Sequence, residues 1–379
     1  MRGVYIHIPF CQQICHYCDF NKVFLKNQPV DQYIESIGKE FYYMKEAGFS
    51  FQEVETVFLG GGTPTALNVP QLDRLLTIVS QYIDVTALKE FTTEANPDDL
   101  SEGQLSILKE SGVNRLSIGV QTFNERLLKQ IGRTHSNEDV ENVIQAARKV
   151  GFENISIDLM YSLPTQTLKE WEETLDRALT LDLPHYSAYS LIVEPKTVFY
   201  NRMVKGNLPL PGEDMEAEMF SMVMDRMSAA GRDQYEISNF AKPEHPSFHN
   251  LIYWENSNYA GIGAGAHGYI GNERYANVGP LTHYINLLEE GKLPRKDVHE
   301  VTLAESMEEE MFLGLRIIEG ISMQEFEQKF QRPIHQVFGK PIEKMQQQGL
   351  LEIDGDHLRL TRKGVFQGNS VFQEFLLGD

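Results

Sequence analysis

Tyr5-Ile-His-Ile-Pro-Phe-Cys11-Gln-Gln-Ile-Cys15-His-Tyr17-Cys18-Asp-Phe20 holds all three cysteines of the chain. Their spacing is C-x₃-C-x₂-C. A disulfide inside so short a loop would close little chain and strand one thiol. Thiolates are soft ligands suited to iron–sulfur clusters, zinc and copper(I). Three on one tight loop can hold three irons of a cubane 4Fe–4S cluster, leaving the fourth iron open to a small molecule. Zinc is the main alternative. A structural zinc site takes four protein ligands, and only His7 or His16 lies near enough in sequence to complete the set.

The loop follows an alternation of Val4, Ile6 and Ile8 across Gly3–Pro9, which reads as a buried strand ending at a proline. The same rhythm then repeats. Strands are expected at Val54–Leu59, Glu90–Ala95, Arg115–Gln121, Asn154–Met160 and Tyr186–Val193. Between them lie helical patterns at Asp31–Gly48 (with Asp31 as N-cap), Val69–Tyr82, Ser101–Gly112, Asn137–Gly151 and Thr167–Leu181. Alternating strands and helices predict an α/β fold with parallel βα units. Six strands fall short of the eight that close a full barrel, so an open, partial (β/α)₆ barrel is expected.

Composition narrows the function. The 379 residues have room for a large domain and a small one. A formal net charge of −20 argues against broad binding of nucleic acid or anionic membranes. Three cysteines in one metal-like group suit a reducing compartment. The first strand begins within a few residues of Met1 and no apolar run is long enough to span a bilayer, so a cytoplasmic protein without signal peptide is expected.

The cysteine spacing resembles the cluster loop of the radical S-adenosylmethionine (SAM) enzymes. The resemblance implies that the open iron takes the amino and carboxylate groups of SAM, whose sulfonium the cluster can then cleave with one electron. The chemistry belongs to the cofactors; the protein supplies placement and dryness. Gly60-Gly61-Gly62-Thr63-Pro64-Thr65, after the second strand, is similar to the family's glycine motif for the methionyl amino group. Glu94, Gln121, Arg133 and Asp158 recur at or just beyond successive strand ends, and match the SAM contacts of the haem-biosynthesis branch of the family. With Tyr5, Tyr17, Gly61, Gly62 and Thr63 they make up the implied SAM site. A guanidinium suits a carboxylate, and acids and amides suit ribose hydroxyls or an ammonium group. Taken singly, each of Glu94, Arg133 and Asp158 reads equally well as an ordinary salt-bridge partner.

Beyond Ile192 the pattern changes. Glu194–Gly212 is rich in Pro, Gly and Asn and reads as a loop. Glu213–Ala230 is a helix whose methionine stripe is expected to fill core. Tyr235–Phe240 reads as a further strand. Phe248-His249-Asn250-Leu-Ile-Tyr253-Trp254 then leads into the glycine-rich Gly261–Gly268, either a close-packed turn or a cleft lining. By itself His249 reads as a structural histidine more readily than as a haem ligand. The His-Asn-x-x-Tyr-Trp string, however, resembles the signature of the HemW-type haem chaperones, relatives of oxygen-independent coproporphyrinogen III dehydrogenase, and that resemblance implies His249 as haem ligand.

Residues 301–379 contain two short helices and a hairpin around Asp354-Gly355, and are expected to form a small winged-helix-like α+β domain. Charges there balance without a basic stripe, so no nucleic-acid role is expected. The expected division is 1–235 for the barrel, 236–300 for a connecting region with the histidine motif, and 301–379 for this small domain. The dehydrogenases typically carry a fourth cysteine, where this chain has Phe20, and an N-terminal extension, which is not expected here. These departures imply a carrier that binds haem and delivers it to acceptor haem proteins, respiratory and membrane-bound ones among them, rather than a coproporphyrinogen III dehydrogenase.

Overall fold

The computed structural model describes residues 1–377. Six parallel strands form the core: β1 (Gly3–Ile8), β2 (Thr56–Gly61), β3 (Glu90–Ala95), β4 (Arg115–Gln121), β5 (Asn154–Tyr161) and β6 (His185–Ser190), paired in that order. Helices α1 (Val30–Glu46), α2 (Val69–Tyr82), α3 (Glu102–Glu110), α5 (Asn137–Val150) and α6 (Leu168–Thr180) connect them, with a short α4 (Glu125–Ile131) after β4. Strand side chains alternate between faces. Val4, Ile6, Ile8, Val57, Leu59, Leu116, Ile118, Ile155 and Ile157 face the helices and are buried. The opposite face is polar: register places Glu94 beside Ser117, Ser117 beside Ser156, and Asp158 beside Ser187. A sheet apolar on one side and polar on the other curls its polar face around a ligand space.

The helix starts show why the chain turns where it does. Asn68, Ser101, Ser136 and Thr167 each accept from the backbone N–H three residues on, and each has a reciprocal capping box. The expected cap at Asp31 is corrected. The helix begins one residue earlier, after Pro29, which has no capping oxygen, and the Asp31 carboxylate instead accepts from Gln71 Nε2 at 3.1 Å. The expected loop over Glu194–Gly212 contains a helix, α7 (Val198–Val204), started by Thr197 Oγ1 accepting from Tyr200 N at 3.0 Å. The glycines after the second strand also lie differently: Gly60 and Gly61 still pair in the sheet, and the turn begins at Gly62.

The sheet continues past both edges. After α8 (Glu213–Ala229), the expected single strand over Tyr235–Phe240 is two short ones, β7 (Asp233–Glu236) and β8 (Asn239–Ala241). They are antiparallel to each other, and β8 pairs with β6. Then α9 (Phe248–Trp254) precedes β9 (Tyr259–Ile262), which pairs parallel with β1. Strands β10 (His267–Ile270), β11 (Glu273–Asn277) and β12 (Arg295–Glu300) complete twelve in one sheet, with α10 (Leu281–Glu289) before the last. The glycine run closes the β9–β10 hairpin tightly, since a Cβ on Gly261 would stand 1.9 Å from the His267 carbonyl oxygen.

Helices α11 (Leu303–Gly314), α12 (Met323–Phe330) and α13 (Ile334–Gln347) follow. They pack with strands β13 (Ile321–Ser322), β14 (Leu351–Asp354) and β15 (His357–Leu360), ordered β13-β15-β14, as a small α+β unit. The expected hairpin is β14–β15; its third strand, β13, is only two residues long.

Candidate functional site

A cavity of about 370 Å³ opens at the carboxyl ends of the parallel strands, the end where α/β proteins place their sites. Cys11, Cys15 and Cys18 line it together with Tyr17, Gly61, Gly62, Thr63, Glu94, Gln121, Arg133 and Asp158. These residues come from a span of almost 150 positions, yet face one space. Tyr5 and His249 do not line it.

The cysteine loop is tied down by backbone hydrogen bonds. Gly62 N donates to Ile8 O at 2.8 Å and Thr63 N to Phe10 O at 2.8 Å, so the glycine turn grips the loop from below. A Cβ at Gly62 would lie 2.8 Å from Phe10 O and 2.9 Å from Cys11 Sγ, so only glycine admits this approach. On the far side His16 N donates to Ile131 O at 2.9 Å and its Nδ1 to Gln130 O at 2.8 Å. His7 is committed too: Nε2 donates to Asn21 O at 2.7 Å and Nδ1 accepts from Tyr5 OH at 3.0 Å. A zinc site therefore lacks His7 as its fourth ligand. Among the described residues no three His, Cys, Asp or Glu side chains converge as for a single ion. The three cysteines share the wall of one cavity, and three thiolates so placed suit a multi-iron cluster, in which each holds a different iron. Burial pushes the bare Cys11 thiol up to about 12, with Cys18 adding to the effect. Bound iron would reverse that, because a coordinated thiol loses its proton.

Behind the cysteines lies a charged cradle. Arg133 rests flat on Gly119, where a Cβ would stand 2.5 Å from its Nη2, and Nη1 donates to Asn96. Among the described residues it forms no ion pair within 4 Å, and its buried Nε lacks a partner. An unpaired buried guanidinium is costly, and a ligand carboxylate would satisfy it. Opposite, Glu94 accepts from Gly61 N at 3.1 Å and Asp158 from Ser117 Oγ at 3.2 Å. Burial, and then the neighbouring Asp158, push the Glu94 carboxyl up to about 8; burial also raises Asp158. Two strained acids on one wall suit an ammonium or sulfonium group. Gln121 closes β4 with φ at 67° beside a register shift, a left-handed backbone unusual for its type. The donor set thus fits a zwitterionic, cationic cofactor such as SAM above a cysteine-held cluster.

Sequence reasoning missed Asn96, Arg115, Ser187, Tyr189 and Asn250, which also line the cavity. Arg115 was within reach, because Arg115, Ser117, Gly119 and Gln121 alternate with Leu116, Ile118 and Val120. Tyr5 is a neighbour of the site rather than part of its wall. It is bonded to His7, and burial and then Glu94 hold its hydroxyl in the neutral form.

His249 lies at the opposite end of the barrel. Helix α9 packs against the first residues of three strands. Thr56 Oγ1 is 2.8 Å from His249 Nδ1, Glu90 Oε1 accepts from His249 N at 3.2 Å, and a Cβ on Gly3 would come within 3.3 Å of the ring. The imidazole is 0 % exposed and stacks on Phe58, and its Nε2 meets Tyr253 OH at 2.8 Å. Burial, and then Arg115, lower its pKa to about 3, so the ring is neutral. Both nitrogens are engaged, so the ring does not fit iron ligation in this conformation.

Residues 5–178 match the Radical SAM superfamily, the class that the barrel and its cysteine-lined mouth define, and residues 301–366 match the HemN C-terminal domain. Heme chaperone HemW of Bacillus subtilis is 52% identical over 377 residues, covering 99% of each chain. That of Lactococcus lactis is 46% identical over 378 residues, covering 100% of this chain and 98% of its own. The chain belongs to the HemW family. In fold it is similar to coproporphyrinogen III oxidase (HemN) of Escherichia coli, with TM-score 0.84, 23% identity, and coverage of 99% of this chain and 90% of that one.

Proposed function

We propose that this protein is a haem chaperone, which binds haem and passes it to acceptor haem proteins in the cytoplasm or at the membrane face. Full-length likeness to proteins named heme chaperone HemW carries this reading. Cys11, Cys15 and Cys18 would hold a 4Fe–4S cluster. Arg133 would take the carboxylate of SAM, Glu94 and Asp158 its cationic and hydroxyl groups, and Gly61, Gly62 and Thr63 would admit its methionyl end. Tyr17 and Gln121 complete the wall, and Tyr5 supports it from behind. When bound, the cluster would supply single electrons to the sulfonium.

Phe20 supports a carrier over a dehydrogenase. It stands where the dehydrogenases typically have a fourth cysteine, and its ring is exposed at the cavity mouth. Acceptors on a membrane would be met from outside, since no helix among the described residues is long and apolar enough to cross one.

The test is an anaerobically reconstituted sample assayed for iron, sulfide, SAM binding and haem binding, then mixed with an apo-haem protein. Transfer of haem to the acceptor is expected. Rapid conversion of coproporphyrinogen III to protoporphyrinogen, with no haem transfer, would overturn the carrier in favour of the dehydrogenase.

A further inference from the structure

Gln121 sits in strained backbone at the edge of the cavity. Its φ is 67°, and Thr122 N donates back across it to Val120 O at 2.8 Å. A bond closed over one residue of positive φ is a γ-turn of the rare, strained hand. The sheet register slips at the same place, between Gly119 and Gln121. Such an outlier persists only where its surroundings over-determine it, and outliers of this kind gather at ligand clamps.

The surroundings are one short segment. Gly132 ends α4 with a left-handed φ of 81°, and the chain runs from there to α5, which starts at Asn137. His135, buried in this segment, reaches with Nε2 to Val120 O at 3.1 Å, the same carbonyl that Thr122 N bonds. Asn137 Nδ2 donates to Phe123 O at 3.0 Å just beyond. Thr122 is itself fully buried, with its hydroxyl 3.1 Å from Thr174 Oγ1. Burial, and then Arg133, lower the His135 pKa to about 4, so the ring is neutral and has a single N–H to give. Nε2 gives it to Val120 O, and the buried Nδ1 has no partner among the described residues. The Val120 carbonyl belongs to the planar peptide that enters Gln121, so fixing that plane fixes the φ of Gln121.

The same segment carries Arg133. Arg133 and Gln121 converge above Gly119, where an added Cβ would meet Arg133 Nη2 at 2.5 Å and Gln121 Nε2 at 3.0 Å. Both line the cavity; His135 stands behind them. We infer that His135 is a positioning residue of the SAM site: it holds the Val120 peptide plane, keeps Gln121 in its left-handed turn, and so fixes Gln121 beside Arg133 to receive one ligand. The assignment rests on reading this cavity as a SAM site.

The test uses the full-length protein with its cluster reconstituted and SAM as the probe. It has two readouts, amide exchange over residues 120–124 before SAM is added and SAM affinity by calorimetry. His135→Leu removes the donor. Exchange over 120–124 is expected to quicken, and SAM to bind about five- to tenfold more weakly, roughly what one hydrogen bond to a buried carbonyl is worth, with iron and sulfide per chain unchanged. His135→Gln returns an amide donor near the place of Nε2 and should restore both readouts. Asn137→Ala is the control for a merely structural role. It removes the neighbouring bond to Phe123 O and should lower the unfolding temperature, yet leave SAM affinity unchanged. If His135→Leu fails to fold, His135→Asn, whose amide reaches only the place of Nδ1, removes the same bond and carries the same expectation.

Unchanged SAM affinity in the variant that lacks the donor, or equal weakening in Asn137→Ala, would overturn the positioning role and leave the SAM site in place. Failure of the unsubstituted, cluster-loaded protein to bind SAM at all would remove the SAM-site reading, and the positioning role with it.

Discussion

Gly62→Ala isolates one steric contact at the cavity mouth. Gly62 does not have a left-handed backbone, so alanine meets no conformational objection there. The added methyl does meet atoms: Phe10 O and Pro9 C at 2.8 Å and Cys11 Sγ at 2.9 Å. Two of these are backbone, held in place by the bonds Thr63 N to Phe10 O at 2.8 Å and Val23 N to Pro9 O at 2.7 Å. Ordinary contact between such atoms lies near 3.5 Å, so the cysteine loop must retreat by ~0.7 Å. Overpacking of this size costs about 1–3 kcal/mol, a melting temperature lower by several degrees in a chain that still folds. A site tolerates only about 0.5 Å of misplacement, so the cluster suffers far more than the fold. After anaerobic reconstitution, iron and acid-labile sulfide per chain should fall below half. Gly103→Ala on α3 is the control, because its methyl would meet only Val69 Cγ2, at 3.4 Å. Full iron and sulfide in Gly62→Ala would show that the glycine turn does not set the position of Cys11.

Other outcomes follow from neighbouring groups. Cys15→Ser should abolish iron and sulfide loading yet leave hemin uptake intact, since the cysteines and His249 lie at opposite ends of the barrel; joint loss would mean one site. Glu94 without ligand titrates near 8, raised by burial and Asp158, and a cationic ligand favours its ionised form. SAM binding should therefore release a proton at neutral pH, and its apparent affinity should climb as pH rises toward 8 and level off above. Calorimetry in buffers of different ionisation heat reads this directly, and a pH-independent affinity would refute it. Trp171 is fully buried between α6 and α8, with Nε1 donating to Met219 O at 2.9 Å and Tyr161 5.5 Å away. Trp171→Ala should cost about 3–5 kcal/mol in urea unfolding. A loss below about 1 kcal/mol would show that those helices hold without it.

Local pattern carried most of the barrel. Strand β4 was legible because Leu116, Ile118 and Val120 alternate with polar residues and a glycine, and the helices over 101–112, 137–151 and 167–181 showed as helical patterns, whose starts the capping boxes at Ser101, Ser136 and Thr167 then fix. Where local signals competed, the reading slipped. Asp31 looked like a cap but sits inside the first turn, because chain entry after Pro29 decided the start. The Pro- and Gly-rich stretch after Ile192 hid α7, whose only local sign was Thr197. Strands β7 and β8 are short enough that a single alternation covered both.

The spacing of three cysteines and the alternation along six strands are properties of neighbouring residues, so the chain alone established the partial barrel and the mouth where thiolates, glycines and charged groups meet. The situation of His249 is of another kind. Its ring is held by Thr56, 193 positions earlier, and its backbone by Glu90, 159 positions earlier. Whether an imidazole is free or spent depends on which distant oxygens the folded sheet brings to its two nitrogens, and no local pattern encodes that.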